Sequence, residues 1–479
     1  MTAALGWRWE HGLLLLGLSV AAIASAHALL HKRDPRAAWG WIGVCWLFPL
    51  GGSLLYFLFG INRLEMRAHR LRPPSATGAN GREREGDARA GAEDRIPRSL
   101  QEVARTADAL TRRPLLAGNA LKVLHNGEQA YPAMLAAIDQ AQRSIAFATY
   151  IYDRDRSGEA FAEALARAKS RGVEVRTLID GYANMLTLWR GGALLTAREL
   201  PFAAFHPPRL LPPSLHMNLR NHRKLLIVDG VLAFTGGMNI SDRHLADDQR
   251  NRRRETDVHF KLRGPIAGQL LETFSDDWHY VSGERWIPPV AESRSDGSAI
   301  CRVIADGPHE DVGHLAQVLF AAITAANRCV RIMTPYFLPP RELAAALEAA
   351  ALRGVQVQIV LPAVGDQRGV HYAMRHALPD LLDSGVQVYE QPPPFAHSKL
   401  FIVDDEYVQI GSSNFDPRSL RLNFELNVEI YDRGVAHELI AHFDAVRERS
   451  QPLSAQGLRG AGLPVRLRNA FCWLFSPYL

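Results

Sequence analysis

His222-Arg223-Lys224-Leu225-Leu226-Ile227-Val228-Asp229 and His397-Ser398-Lys399-Leu400-Phe401-Ile402-Val403-Asp404 set the same residue types in the same order. Each continues in step through a small-residue turn, Gly236-Gly237 or Gly411-Ser412, to an asparagine, Asn239 or Asn414. A histidine and a lysine two apart on a strand point to the same face, so each copy offers a nucleophile or proton carrier beside a fixed positive charge. Brought together, the two copies make a phosphate site with two histidines. A single His-x-Lys ahead of an apolar strand often does no more than end that strand at the surface. Two copies in matching strand contexts are a motif.

The repetition extends outward. Arg143 to Tyr150 reads as a strand, Gly158 to Ser170 as an amphipathic helix, and Arg171 to Val175 as the start of the next strand. In the second half Arg331 to Tyr336, Arg341 to Leu352 and Arg353 to Val357 follow the same order. Strands alternating with helices predict an α/β fold of parallel units. Each half is expected to be an α/β sandwich, the two sharing one cleft lined by both His-x-Lys pairs. The stretch from Phe202 to Leu215, with Pro207, Pro208, Pro212 and Pro213, reads as a loop near that cleft.

Ahead of these halves lie two apolar runs. Gly12 to Leu30 is of membrane-spanning length, and Ala37 to Ile61 carries no charge. Together they predict two transmembrane helices, with a cleaved signal peptide as the alternative for the first. Trp7, Trp9, Trp39 and Trp41 suit the headgroup layer, and the arginines flanking the pair favour both ends on the cytoplasmic side. From Leu71 to Arg98 the chain turns to Pro, Gly, Ala, Arg and Glu and reads as a linker. The expected organisation is an anchor over 1–62, a basic linker over 63–98, halves over 99–295 and 296–450, and a tail over 451–479. That tail is basic and then aromatic, fit for a membrane surface or for packing back on the core.

At 479 residues and a net charge of +5, the chain lacks the basic excess of a dedicated nucleic-acid binder. Its four cysteines show neither disulfide nor zinc spacing. A phosphodiester is attacked in line with its leaving oxygen while fixed donors hold its negative charge. Lys224 and Lys399 supply that charge without a metal or nucleotide, and Asn239 and Asn414 add neutral donors. One histidine can attack while the other protonates the departing alkoxide. Glu255 and Glu425, downstream of the two motifs, are candidates to hold the remote imidazole nitrogens, unless they are ordinary strand-edge residues. Asp229 and Asp404 close each motif and are expected to tie the following turn.

The doublet resembles the duplicated HxKxxxxD signature of the phospholipase D superfamily. With the two apolar runs, Thr235-Gly236-Gly237-Met238-Asn239, Thr334-Pro335-Tyr336-Phe337, Leu422-Asn423-Phe424-Glu425 and the Phe475-to-Leu479 ending, the whole plan resembles bacterial cardiolipin synthases. That resemblance implies transfer of a phosphatidyl group from one phosphatidylglycerol to another at the bacterial inner membrane, with His222 as nucleophile and His397 as acid/base. It implies that each histidine is held by a carboxylate of the other half, His222 by Glu425 and His397 by Glu255. Cofactors and nucleic-acid partners are not expected. A hydrolytic phospholipase D and an idle anionic-lipid-binding scaffold remain alternatives. Gly237 departs from the pattern, leaving a hydroxyl only at Ser412 in the second half.

Overall fold

The computed structural model describes residues 2–32, 35–60, 92–186, 191–207, 219–292, 295–307 and 313–476. The chain divides into two compact units, Met1–Arg72 and Pro73–Leu479. Most of the expected linker, the four arginines at 63, 67, 70 and 72, the proline-rich 208–215 and the last residues of the aromatic ending lie outside the described residues.

In the first unit, α1 (Thr2–His31) contains one stretch, His11–His31, long and apolar enough to cross a membrane. Its Ala21, Ala24 and Ala28 are buried together with Cys45 and Tyr56 of the returning chain, and small side chains at helical spacing let the backbones approach. Tyr56 Oη stands 2.8 Å from His27 Nδ1. The return is not one helix. It forms α2 (Pro35–Leu47), breaks at Phe48 with φ −133° and ψ 75°, and resumes as α3 (Pro49–Leu55). Pro49 disfavours a helical Phe48 and has no N–H for the preceding turn, so an uncharged run of membrane length is divided in two. Among the described residues only α1 has spanning length.

The second unit carries strands β1 (Leu116–His125), β2 (Ser144–Thr149), β3 (Glu174–Asp180), β4 (Phe202–Phe205), β5 (Leu225–Val228), β6 (Leu232–Gly236), β7 (Glu255–Thr256) and β8 (Val258–Arg263). There follow β9 (Ala299–Asp306), β10 (Cys329–Met333), β11 (Gln356–Pro362), β12 (Gln387–Gln391), β13 (Phe395–Ala396), β14 (Leu400–Val403), β15 (Tyr407–Gly411), β16 (Glu425–Tyr431) and β17 (Gln451–Pro452). The first half is ordered β1-β8-β6-β5-β2-β3-β4 and the second β9-β16-β15-β14-β10-β11-β12, strand for strand the same path. The two join where β1 and β9 pair antiparallel, giving one 15-stranded sheet closed at the far edge by β17. Phe202–Phe205 is thus an edge strand rather than loop, because it pairs with β3 before the first proline is reached.

One apolar layer, including Val123, Ile227 and Phe274 of the first half with Ile402, Val428 and Phe443 of the second, is continuous across the join. Helices over the outer faces bury two further layers. The aspartate closing each motif also repeats its role, but it holds the loop entering β2 or β10 rather than the expected following turn, because that loop presents three backbone N–H groups to it. Asp229 accepts from the backbone N–H groups of Gln142, Arg143 and Ser144, and Asp404 from those of Asn327, Arg328 and Cys329. Both aspartates have positive φ, 54° and 52°, which an Asp tolerates better than most residues. The helix Leu463–Leu474 packs back on the helix Arg368–Asp383, with the Arg468 guanidinium 3.6 Å from the Tyr372 ring centre and Trp473 against His376. Leu463, Leu467, Phe471 and Leu474 remain exposed on it.

Arg223, between the two motif residues, points to the opposite strand face and staples the halves. Its guanidinium donates to Asp277 at 2.7 Å and to the backbone carbonyls of Glu425 and Asp306 at 3.1 Å each. Truncating one partner of a buried pair strands the other charge. Asp277→Ala should therefore destabilise the chain by about 3–5 kcal/mol, read as a shift of the denaturant midpoint in detergent. A loss below about 1 kcal/mol, the range of an exposed pair, would show that Arg223 is not what holds this join.

Candidate active site

Each histidine arrives on a segment docked against the other half. Asn221 bridges in parallel to Phe424, with His222 N donating to Phe424 O at 2.9 Å and Phe424 N to Arg220 O at 2.8 Å. On the other side β13 pairs in parallel with β7, Ala396 opposite Thr256, and His397 N donates to Thr256 O at 2.8 Å. These are the same contacts under exchange of halves. Gly236 pairs with His259 and Gly411 with Asn427, so the register makes Asp257, not Glu255, the counterpart of Glu425.

The side chains obey that register. His222 Nδ1 donates to Glu425 Oε2 and to Ser412 O, each at 3.1 Å. His397 Nδ1 donates to Asp257 Oδ2 at 2.8 Å. The expected pair of His222 with Glu425 is present, whereas the expected pair of His397 with Glu255 is not. Matching the acids by residue type misaligned the halves, because the first copy has a longer loop between Asn239 and its acid strand. Glu255 lies two residues earlier, on β7, and approaches Arg243 and His244 instead, at 3.8 Å each. The signal was in the sequence, since Asp257-Val258-His259-Phe260 and Glu425-Leu426-Asn427-Val428 alternate alike.

The lysines lie beside their histidines. Lys224 Nζ donates to His222 O at 2.7 Å, and Lys399 Nζ donates to His397 O at 2.6 Å while standing 3.2 Å from both nitrogens of that ring. Asn239 Oδ1 accepts from Ile151 N, just past β2, at 3.1 Å. Asn414 is buried as its counterpart. Ser412 Oγ donates to Glu425 Oε2 at 2.5 Å, so the hydroxyl holds the carboxylate rather than remaining free for a ligand. At Gly237 a Cβ would lie 2.5 Å from Asp257 Oδ2, so the shorter acid occupies the room that Ser412 fills in the other half. Tyr150, just past the end of β2 rather than within the expected strand, packs edge-on to His222 with ring centres 5.0 Å apart.

Burial dominates the electrostatics. It drives Lys224 down to about 7, assisted by repulsion from Lys399 and opposed by Glu425. Lys399 is lowered for the same first reason. Burial likewise lowers both histidines, and His397 is pushed furthest, by Lys399 and Lys224 together. Burial would raise both carboxyls. For Glu425 the His222, Lys224 and Ser412 contacts outweigh it and leave the acid below its ordinary value, whereas Asp257 stays above. Lys224 and Lys399 repel each other in a buried site, and a bound anion would relieve that repulsion.

A family model described as cardiolipin synthase, phospholipase D-like domain, matches residues 134–278 and 319–447, which include both His-x-Lys pairs, Asp257 and Glu425. A second, described as phospholipase D-nuclease N-terminal, matches residues 19–60. The chain is 31% identical to a cardiolipin synthase of Geobacillus kaustophilus, over 98% of this chain and 95% of that one. It is also 31% identical to cardiolipin synthase A of Pseudomonas putida, over 97% of each. A phosphatidylserine synthase structure from Haemophilus influenzae shares the fold, with a TM-score of 0.62 at 16% identity over 79% of this chain and all of that one.

Asp257→Asn should cut turnover about a hundredfold by releasing the His397 ring. Gly237→Ser should do comparable damage without touching substrate, by displacing the Asp257 carboxylate. Both are read as turnover at saturating lipid, and a fully active Gly237→Ser enzyme would mean that Asp257 need not stand where it does.

Proposed function

We propose a route for the phosphatidyl group in a chain that belongs to the cardiolipin synthase family with phospholipase D-like domains. The enzyme is a phosphatidyltransferase, taking a phosphatidyl group from one phosphatidylglycerol and delivering it to a hydroxyl of another, with cardiolipin and glycerol as products. In the proposed first step His222 Nε2 attacks phosphorus, the bond to glycerol oxygen breaks, and His397 Nε2 gives its proton to the departing alkoxide. In the second step His397 takes the proton from a hydroxyl of the second phosphatidylglycerol, whose oxygen displaces His222 from phosphorus.

The observation that carries this reading is the crossed pair of hydrogen bonds, Glu425 to His222 and Asp257 to His397. With Nδ1 donating to a carboxylate, Nε2 is the reacting nitrogen of each ring, in His397 with Lys399 Nζ 3.2 Å away. The two sides differ in a way that suits the division of labour. Glu425 is the acid held below its ordinary value, and an ionised acceptor best stabilises the positive ring of a phosphohistidine. His397, lowered while the pocket is empty, gains proton affinity once the phosphodiester charge is set against Lys224 and Lys399. Lys224, Lys399, Asn239 and Asn414 are proposed as the donors to that charge.

The membrane arrangement belongs to the same reading. Beside α1, the exposed Trp39, Trp46, Leu47, Phe48, Leu50 and Leu54 make the broken second arm a lipid-embedded partner despite its kink. Arg8, Arg63, Arg67, Arg70 and Arg72 flank the pair against Lys32, Arg33 and Arg36 in the connection, a margin that favours the catalytic unit on the cytoplasmic face. The exposed stripe Leu463, Leu467, Phe471 and Leu474, with Arg459 and Arg466 nearby and no acid from 455 to 476, would rest on an anionic bilayer surface.

Labelled phosphatidylglycerol in mixed micelles should yield cardiolipin and free glycerol, whereas phosphatidic acid alone would assign a hydrolase. His222→Ala and His397→Ala should each abolish cardiolipin formation. With a phosphodiester bearing an activated leaving group, an alkaline quench and mass spectrometry should find phosphate on His222 in the His397→Ala enzyme and none in the His222→Ala enzyme. Phosphate on His397 instead would reverse the assignment.

A further inference from the structure

Glu255 has no part in the steps above, yet it borders the residues that perform them. It stands two residues ahead of Asp257, on β7 opposite Phe395 of β13, the strand that leads into His397. Its side chain is 14% exposed, and its oxygens meet few donors. His244 Nε2, 3.8 Å from Oε2, accepts from Asn239 N and therefore has no proton to offer. Arg243 Nη1 stands 3.8 Å from Oε1, beyond hydrogen-bond length. The neighbouring Asp366 makes the contrast, since Tyr336 Oη donates to it at 2.7 and 2.9 Å and Gln367 N at 2.7 Å. Burial, only partly relieved by Arg243, raises the Glu255 carboxyl to about 7. A mostly buried carboxylate short of protein donors is waiting for donors from elsewhere.

Its position says which. In-line displacement places the alcohol opposite His222, on the His397 side, and the charge of Arg243 acts on both His397 and Glu255. We propose that Glu255 selects the alcohol, accepting hydrogen bonds from the free hydroxyls of the glycerol that departs and then of the glycerol headgroup that attacks. The inference rests on the transfer reaction above and names what that site prefers, a vicinal polyol over water or a simple alcohol. His244 links the two places, its ring centre 5.9 Å from that of His397 and its Nε2 3.8 Å from Glu255 Oε2, so a three-carbon chain with its first oxygen at His397 can bring its remaining hydroxyls within reach of the carboxylate. Glu255 makes and breaks no covalent bond, and the reacting proton passes through His397 alone.

The test uses the full chain in phosphatidylglycerol micelles with labelled glycerol and 1-propanol present as competing acceptors. Labelled phosphatidylglycerol and phosphatidylpropanol are then measured in the same reaction. The wild type should prefer glycerol, Glu255→Leu should lower the product ratio about tenfold or more, and Glu255→Gln should lower it less. General damage to the fold slows both products alike and leaves the ratio in place, so an unchanged ratio overturns the proposal at any rate. A wild type indifferent between the two alcohols overturns it without any variant. Should the wild type transfer to neither alcohol nor to a second phosphatidylglycerol, the transfer reaction itself has failed and this inference goes with it.

Discussion

Everything at the candidate site depends on the crossed hydrogen bonds between halves. His222 belongs to the first half and is held by Glu425 of the second, while His397 of the second is held by Asp257 of the first. Neither half alone can orient its own histidine. The paired backbone bridges at Asn221 with Phe424 and at Ala396 with Thr256 fix the distance over which those bonds are made. Arg223, pinned between Asp277 and the carbonyl of Glu425, ties the first-half motif to the second-half acid.

That constraint explains why so many charges are tolerated in a dry interior. Lys224 and Lys399 are both buried, and each lies near a carboxylate that also serves a histidine. Burying an isolated charge is costly, but a set with nearly balanced signs and fixed geometry costs far less. Lys224 and Lys399 balance Glu425 and Asp257 one for one. The halves are alike in path and unlike in detail. A serine and a glutamate on one side face a glycine and an aspartate on the other, so the two acids sit at different proton affinities in otherwise matching frames.

The N-terminal unit is governed by a different constraint, the chain's own proline. Pro49 divides an uncharged segment that composition alone would pass as a span, and Ala21, Ala24 and Ala28 then let the two pieces pack against α1. At the other end, the helix Leu463–Leu474 uses Arg468 and Trp473 to close on the core and keeps its leucines outside. Packing back and presenting an apolar face are compatible here because a helix has more than one side.

Periodicity in the sequence determined the α/β class, the duplication and the strand after each His-x-Lys, while the pairing of His222 with Glu425 came from resemblance. Those features are local, or are copied from one half to the other at constant spacing, so they survive in a one-dimensional reading. The partner of His397 did not survive it. Glu255 and Asp257 stand two residues apart with the same charge, and only the hydrogen-bond register of β6 with β8 decides which carboxylate reaches the ring. The joining of two sheets through β1 and β9, the staple at Arg223 and the fit of Gly237 against Asp257 were likewise decided by tertiary structure. Each depends on which atoms of distant segments come within a few ångströms, and spacing along the chain carries no record of that.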